Sequence, residues 1–258
     1  MDFKAISSKD NSLIKLVSAL QKSAKSRREN GLFVLEGLRI CDDASINGIQ
    51  FDKLIVSESA KIKYENEVEK FAENSKECFT ISDGLFKKIS DTQSPQGIIA
   101  VAKIPANNTE IDLNGRYIAL ENLSDPSNLG AVSRTAEALG VSGIIISDNS
   151  CDPYSPKVLR ASMGTLLRMP VIIFTDFANE IKNSGLKSYA CVVDRDAKSI
   201  SQIDFTNGSV LIIGNEANGI TNATKSVSNA LITIKMSGKA ESLNAAIAAS
   251  IAMWEMMK

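Results

Sequence analysis

Histidine is absent from all 258 residues. That gap excludes Ser-His-Asp and Cys-His catalysis, histidine-ligated metal centres and imidazole acid/base chemistry together. Any chemistry must run on arginine, lysine, carboxylates, amides, hydroxyls or a cofactor. Cysteine is sparse, and Cys41, Cys78, Cys151 and Cys191 lie far apart with no C-x-x-C pair. Neither a zinc site nor a disulfide framework follows from that spacing, and the four read as small buried apolar residues. No apolar run approaches the ~18 residues of a bilayer span. Residues 1–30 are polar and lack the apolar core of a signal peptide, so a cytoplasmic protein without membrane partners is expected. The net charge of −1 also lacks the basic excess usual in nucleic-acid-binding domains.

The positive charge that is present is unevenly placed. Residues 1–30 carry Lys4, Lys9, Lys15, Lys22, Lys25, Arg27 and Arg28 against Asp2, Asp10 and Glu29, and residues 153–175 carry Lys157, Arg160 and Arg168 with no acid. Either stretch could face phosphates; the competing reading is a solvated helix face. With 44% apolar residues the chain can build a real core. Residues 104–114 lose periodicity and gain turn formers, which divides the chain into an N-terminal domain over 1–103, a linker over 104–114 and a second domain over 115–258. In the first, 32–36, 53–56, 78–81 and 97–102 read as strands, with helices over 37–46, 60–73 and 82–89. An amphipathic helix over 12–23 precedes them. In the second, apolar β-branched runs at 117–121, 143–147, 171–174, 189–193, 210–214 and 231–235 alternate with helical stretches. That pattern predicts an α/β fold with a parallel sheet covered on both faces. Ser155-Pro156 supplies an N-cap and a proline at N1, and Gly140 a C′ glycine.

Three segments at strand-to-helix junctions concentrate groups able to bind or react, as open parallel sheets do at their carboxyl edges. The first is Asn128-Leu129-Gly130 with Arg134. These two polar residues lie about 600° apart on a regular helix, roughly 120° short of alignment, so Asn128 must sit at the cap for them to converge. An N-cap asparagine and a structural ion pair of Arg134 are the competing readings. The second, Gly214 to Gly219, lets the backbone approach a ligand closely, but it is neither a Walker loop nor G-x-G-x-x-G. Its Glu216 would repel a phosphate and favour a cationic ligand, or else pair with an arginine such as Arg134. The third is Ser242-Leu243-Asn244, before a terminal helix on which Leu243, Ile247, Ile251 and Trp254 share a face. Ser242 is its expected N-cap, and Asn244 in the first turn wants a partner.

In this order and spacing the three segments resemble the motifs of the SpoU (TrmH-like) RNA 2′-O-ribose methyltransferases of the SPOUT class. Phe33-Val34-Leu35-Glu36-Gly37-Leu38-Arg39 and Ser94-Pro95-Gln96-Gly97 are similar to the small L30e-like RNA-binding domain of many members, and Pro153 to Gly164 is similar to a segment of the catalytic domain. The resemblance implies an L30e-like domain followed by a parallel-sheet SPOUT domain with a C-terminal trefoil knot, and a homodimer formed through the C-terminal domain. It implies S-adenosyl-L-methionine as cofactor, with Gly214, Ile234, Met236 and Leu243 lining its pocket. It implies Asn128, Arg134, Glu216, Ser242 and Asn244 as the catalytic set. Arg27, Arg28, Arg39, Lys157 and Arg160 are the expected RNA contacts. Arg134 is the family's proposed proton acceptor; because a guanidinium stays protonated and offers no acceptor, holding the target phosphate and hydroxyl is the physically sounder role. Ribosomal RNA, of the 23S kind, is the expected substrate. Transfer RNA, an antibiotic-resistance site in ribosomal RNA, and a non-catalytic RNA-binding or assembly factor are the alternatives.

Overall fold

A computed structural model describes residues 2–258. The chain forms two compact units, the first of residues 1–106 with Asp152–Leu167, the second of Asn107–Cys151 with Arg168–Lys258. In the first, chain order is β1 (Phe3–Ile6), α1 (Ser12–Lys22), α2 (Ala24–Asn30), β2 (Leu32–Glu36), α3 (Leu38–Ile46), β3 (Phe51–Ser57), α4 (Glu58–Lys63), α5 (Glu65–Glu73), β4 (Ser75–Ile81), α6 (Asp83–Ile89) and β5 (Ile98–Lys103). The strands lie in the order β1-β4-β3-β5-β2. β3 and β4 are parallel, while β5 runs against both β3 and β2. The ends of β2, β3 and β4 and the start of β5 therefore share one edge. The expected helix over 60–73 is two helices broken at Tyr64, and β1 was not legible as a strand.

The second unit continues with β6 (Arg116–Leu120), α7 (Pro126–Leu139) and β7 (Gly143–Ser147). The chain then visits the first unit for α8 (Pro156–Ser162) and returns for β8 (Val171–Phe174), α9 (Phe177–Asn183), β9 (Lys187–Cys191), β10 (Lys198–Ser199), β11 (Ser209–Ile213), α10 (Asn222–Val227), β12 (Ala230–Thr233) and α11 (Ala245–Met257). Its seven strands, ordered β10-β12-β9-β11-β6-β7-β8, all pair in parallel. Every residue of β7 and β11 is buried, as a strand covered on both faces requires. The two-residue β10 is too short to show a pattern.

The excursion of residues 152–167 departs from the contiguous domain expected over 115–258. Its cause is apolar burial. Tyr154 stacks at 5.3 Å on Phe33, and Leu159 shares the same core with Phe51, Phe71 and Ile98. Ser155 caps α8 as expected, accepting from the Val158 amide, and Gly140 ends α7 in the left-handed region at φ 75°. Cys41 and Cys78 are buried, Cys151 and Cys191 partly so, and none of the four is in a disulfide. Among the described residues no helix is long and apolar enough to cross a membrane.

Candidate active site

The loops at the carboxyl edge of the seven-stranded sheet enclose a cavity of about 630 Å³. Gly214, Glu216, Ile234, Met236, Ser242, Leu243 and Asn244 all face it, so of the nine residues expected to be catalytic or cofactor-binding only Asn128 and Arg134 do not. The loop after β11 is a tight reversal in which Asn215 and Gly219 exchange backbone hydrogen bonds of 3.1 and 2.9 Å. A Cβ on Gly214 would fall 2.2 Å from the Gly219 carbonyl carbon, so only glycine permits the reversal. Two residues that the sequence did not single out hold this loop. Asn215 donates to the Asn122 carbonyl at 2.8 Å and accepts from the amides of Ala217 and Asn218. Glu121 is buried and accepts from the Thr221 hydroxyl at 2.7 Å, the Thr221 amide at 2.9 Å and the Thr224 hydroxyl at 2.6 Å. Its only advance signal was a carboxylate at the end of an apolar strand.

The cap geometry differs from expectation at both helices. On α7 the cap is Asp125, which accepts from the Ser127 amide, and Pro126 fills N1. Asn128 is thus at N3 inside the helix, 6% exposed, and the condition for converging with Arg134 is not met. Arg134 is exposed and makes no ion pair among the described residues, so neither the structural pair considered for it nor a bridge to Glu216 is formed there. On α11 the cap is Asn244 rather than Ser242. Its Oδ1 accepts from the amides of Ala246 at 2.9 Å and Ile247 at 3.2 Å, while its Nδ2 donates to Asn128 Oδ1 at 3.0 Å. Asn128 in turn donates to Glu216 Oε1 at 2.8 Å. The carboxylate of Glu216 also accepts from the amides of Ser124 and Asp125, each at 3.1 Å. Partial burial pushes its carboxyl up, but the Asn128 amide and these backbone donors outweigh it and hold the group below the usual carboxylate range. Asn244, Asn128 and Glu216 therefore form one chain that joins all three motifs and fixes an anion at the cavity.

The expected RNA contacts fare unevenly. Arg27 is a correction: it is 3% exposed, bonded to Asp152 at 2.6 Å and to the Leu20 carbonyl, and serves the core of the first unit. Arg160 is exposed but engaged with Asp91 at 2.7 Å. Arg28, Arg39 and Lys157 are exposed.

Comparison with known proteins agrees with this geometry. Residues 115–254 match the SpoU rRNA methylase family, and residues 11–100 match the MRM3-like substrate-binding domain. The chain belongs to the SpoU rRNA methylase family, and it is an RNA methyltransferase. It is 26% identical over 98% of its length, and 99% of the relative's, to the 23S rRNA (guanosine(2553)-2′-O)-methyltransferase RlmP of Bacillus subtilis. It is 28% identical over 68% of its length, and 65% of the relative's, to a 23S rRNA (uridine(2479)-2′-O)-methyltransferase of Streptomyces viridochromogenes. An AdoMet-bound rRNA methyltransferase from Sinorhizobium meliloti superposes with a TM-score of 0.85 at 29% identity, covering 98% of this chain and 97% of that one.

Proposed function

We propose that this chain transfers the methyl group of S-adenosyl-L-methionine to a ribose 2′-oxygen of 23S ribosomal RNA. The observation that carries this reading is the Asn244–Asn128–Glu216 chain, whose two ends line a cavity of about 630 Å³. The donor set suits the cofactor: a fixed carboxylate for a cationic sulfonium, apolar Ile234 and Leu243, and a glycine loop with no room for a Cβ. When bound, the cofactor supplies an electrophilic methyl group.

The chain's own residues then have distinct tasks. Gly214, Ile234, Met236 and Leu243 shape the pocket, and Glu216 presents its charge without having to reorganise, because three donors already hold it. Asn244 and Ser242 line the cavity, and their amide and hydroxyl orient a ribose. Arg134, exposed on α7 and without an ion pair among the described residues, grips the target phosphate in its planar fork. Arg28, Arg39 and Lys157 remain candidate phosphate contacts.

A homodimer and the C-terminal knot belong to the same reading, as does a cytoplasmic location. The dimer has support in α11. Ala245, Ala249, Ala252, Met253 and Met256 are buried on one side, yet Ile247, Ile251 and Trp254 on the other remain 52%, 38% and 58% exposed. A helix apolar all round calls for cover on both sides. Light scattering on Ile251→Glu is expected to show a monomer where the native chain is a dimer; a native monomer would remove the dimer from the reading.

The deciding experiment is methyl transfer from labelled S-adenosylmethionine to unmodified 23S ribosomal RNA and to transfer RNA, with mass analysis of digested nucleosides. A 2′-O-methylated nucleoside from 23S RNA is the expected product. A product from transfer RNA alone would replace the substrate, and no cofactor binding at all would replace the activity.

A further inference from the structure

Among the described residues only two non-glycines take a positive φ: Met163, which closes α8 as its C-cap, and Asn122 at 56°, two positions past the end of β6. The left-handed region costs an L-residue free energy, less for asparagine than for most, and it persists where the surroundings hold it. At Asn122 the surroundings are the end of β7. Its amide donates to Ser147 Oγ at 2.8 Å, and its Oδ1 accepts from the same hydroxyl at 3.2 Å. Ser147 is 3% exposed, so that hydroxyl serves the fold rather than solvent. The change of direction shows in the next residue. β6 lies between β11 and β7, and the backbone groups of a central strand turn alternately to its two neighbours. Glu121 donates to the Ile213 carbonyl of β11, so a continuing strand would return Leu123 to that side. Instead the Leu123 amide donates to Ser150 Oγ at 3.1 Å and its carbonyl accepts from the Cys151 amide at 2.8 Å, both just beyond β7.

With Leu123 turned away, the next two amides face the loop after β11. Those of Ser124 and Asp125 both end on the Glu216 carboxylate, each at 3.1 Å. The Asn122 carbonyl faces the same loop and accepts from Asn215 Nδ2 at 2.8 Å. One backbone conformation thus sets three bonds that tie the end of β6 to Asn215 and Glu216. Neither Asn122 nor Ser147 lines the cavity, so their influence on a ligand passes through those two residues. Glycine at 122 would permit the same φ and give up only the Oδ1 contact with Ser147. Alanine would lose that contact and also resist the φ.

We infer that Asn122 is a positioning residue for methyl transfer, locked left-handed by the end of β7 so that its own carbonyl and the two amides beyond Leu123 hold Asn215 and Glu216 in place for the cofactor. The inference rests on the S-adenosylmethionine reading of the cavity and adds to it a residue outside the cavity wall. Calorimetric titration of the full chain with S-adenosylmethionine tests it. Asn122→Ala is expected to bind at least about fivefold more weakly than native, and Asn122→Gly, which accepts the φ, to recover to within about threefold. Ser147→Ala loosens the same turn with residue 122 intact and is expected to weaken binding at least about threefold by stranding the Asn122 amide. Asn229 supplies the control: at the opposite edge of the sheet, where β9 begins, its Oδ1 accepts from the Ser188 amide at 2.8 Å and hydroxyl at 3.0 Å. Asn229→Ala removes a comparable clamp and is expected to bind within about twofold of native, whatever its stability. Native affinity in Asn122→Ala, a glycine variant weaker than the alanine one, or equal weakening by Asn229→Ala overturns the assignment. Amide exchange by NMR in the cofactor-free chain reads the turn directly. In Asn122→Ala the Ser124 and Asp125 amides are expected to exchange at least about tenfold faster than in the native chain, with those of Ile146 and Ile212 unchanged. Unchanged exchange at 124 and 125, or acceleration across the whole sheet, overturns it. A native chain that binds no S-adenosylmethionine overturns the parent reading and this role with it, whereas native binding undiminished in Asn122→Ala removes this role alone.

Discussion

At the carboxyl edge of the seven-stranded sheet a carboxylate, Glu216, is held by the Asn128 amide and two backbone donors. At the corresponding edge of the five-stranded sheet a second carboxylate, Glu36, pins a loop, and the charged groups facing a cavity there are Lys63, Lys87 and Asp83. On that same sheet Lys4 and Lys53 bond to Glu77 and press its carboxyl down to about 2. Both edges follow from strand direction, which collects loop ends on one side. What differs is the sign of the charge left over. One edge carries a carboxylate held by three donors and the other two lysines beside an aspartate, so topology supplies the place and the side chains supply its charge.

The largest effect expected separates the structural from the free basic residues of the first unit. Arg27→Ala strands Asp152 without its buried partner and should cost ~3–5 kcal/mol in urea unfolding. Arg28→Ala should stay within ~0.5 kcal/mol. Equal costs would erase the distinction drawn between paired and free cations.

On the other edge, Gly214→Ala drives a Cβ into the Gly219 backbone. It should cost ~1–3 kcal/mol by overpacking and abolish S-adenosylmethionine binding in calorimetry. Gly238→Ala, with no atom within 4 Å of its Cβ, is the matched control and should change stability by less than ~0.5 kcal/mol. Tight cofactor binding by Gly214→Ala would break the link between the reversal and the pocket.

Asn244 carries two functions on one side chain, and two substitutions part them. Asn244→Ala removes the cap, for about 1 kcal/mol, together with the bond to Asn128. Asn244→Asp keeps the capping oxygen and loses the donor. Thermal melting should fall only for alanine, while methyl transfer should fall for both; full activity in the aspartate variant would show that the bond to Asn128 is dispensable.

The smallest effect concerns pH. Because the folded Glu216 carboxyl lies below its ordinary value, its charge is present above the usual carboxylate pKa of ~4.3 and is lost only as pH falls through the lowered value. Cofactor affinity should therefore be flat from pH 8 to about 5, and Glu216→Gln should be about tenfold weaker across that range. A native affinity that declines between pH 7 and 5 would assign the anion to another group.

The elements themselves were largely legible. The apolar runs near 117, 143, 171, 189, 210 and 231 became parallel strands, and Ser155 and Gly140 cap as their residue types require. Seven of the nine expected catalytic or pocket residues face one cavity. The two misplaced caps show the limit. Asp125, Asn128, Ser242 and Asn244 are all capable N-caps, and propensity cannot choose among neighbours when a distant side chain competes for one of them. Asn128 is drawn into the helix by Glu216, 88 positions away.

Periodicity, capping preference and glycine placement act over a few residues, so the sequence by itself determined the two α/β regions, the strand-to-helix junctions and the residue types gathered there. It also determined that no imidazole takes part. The tertiary structure alone decided that residues 152–167 join the first unit, that Arg27 is buried and that Asn128 lies inside α7 rather than at its cap. It alone decided which lysines remain without partners. Each of those outcomes depends on contacts such as Arg27 with Asp152, 125 positions apart, whose energy leaves no local trace in the pattern of either segment.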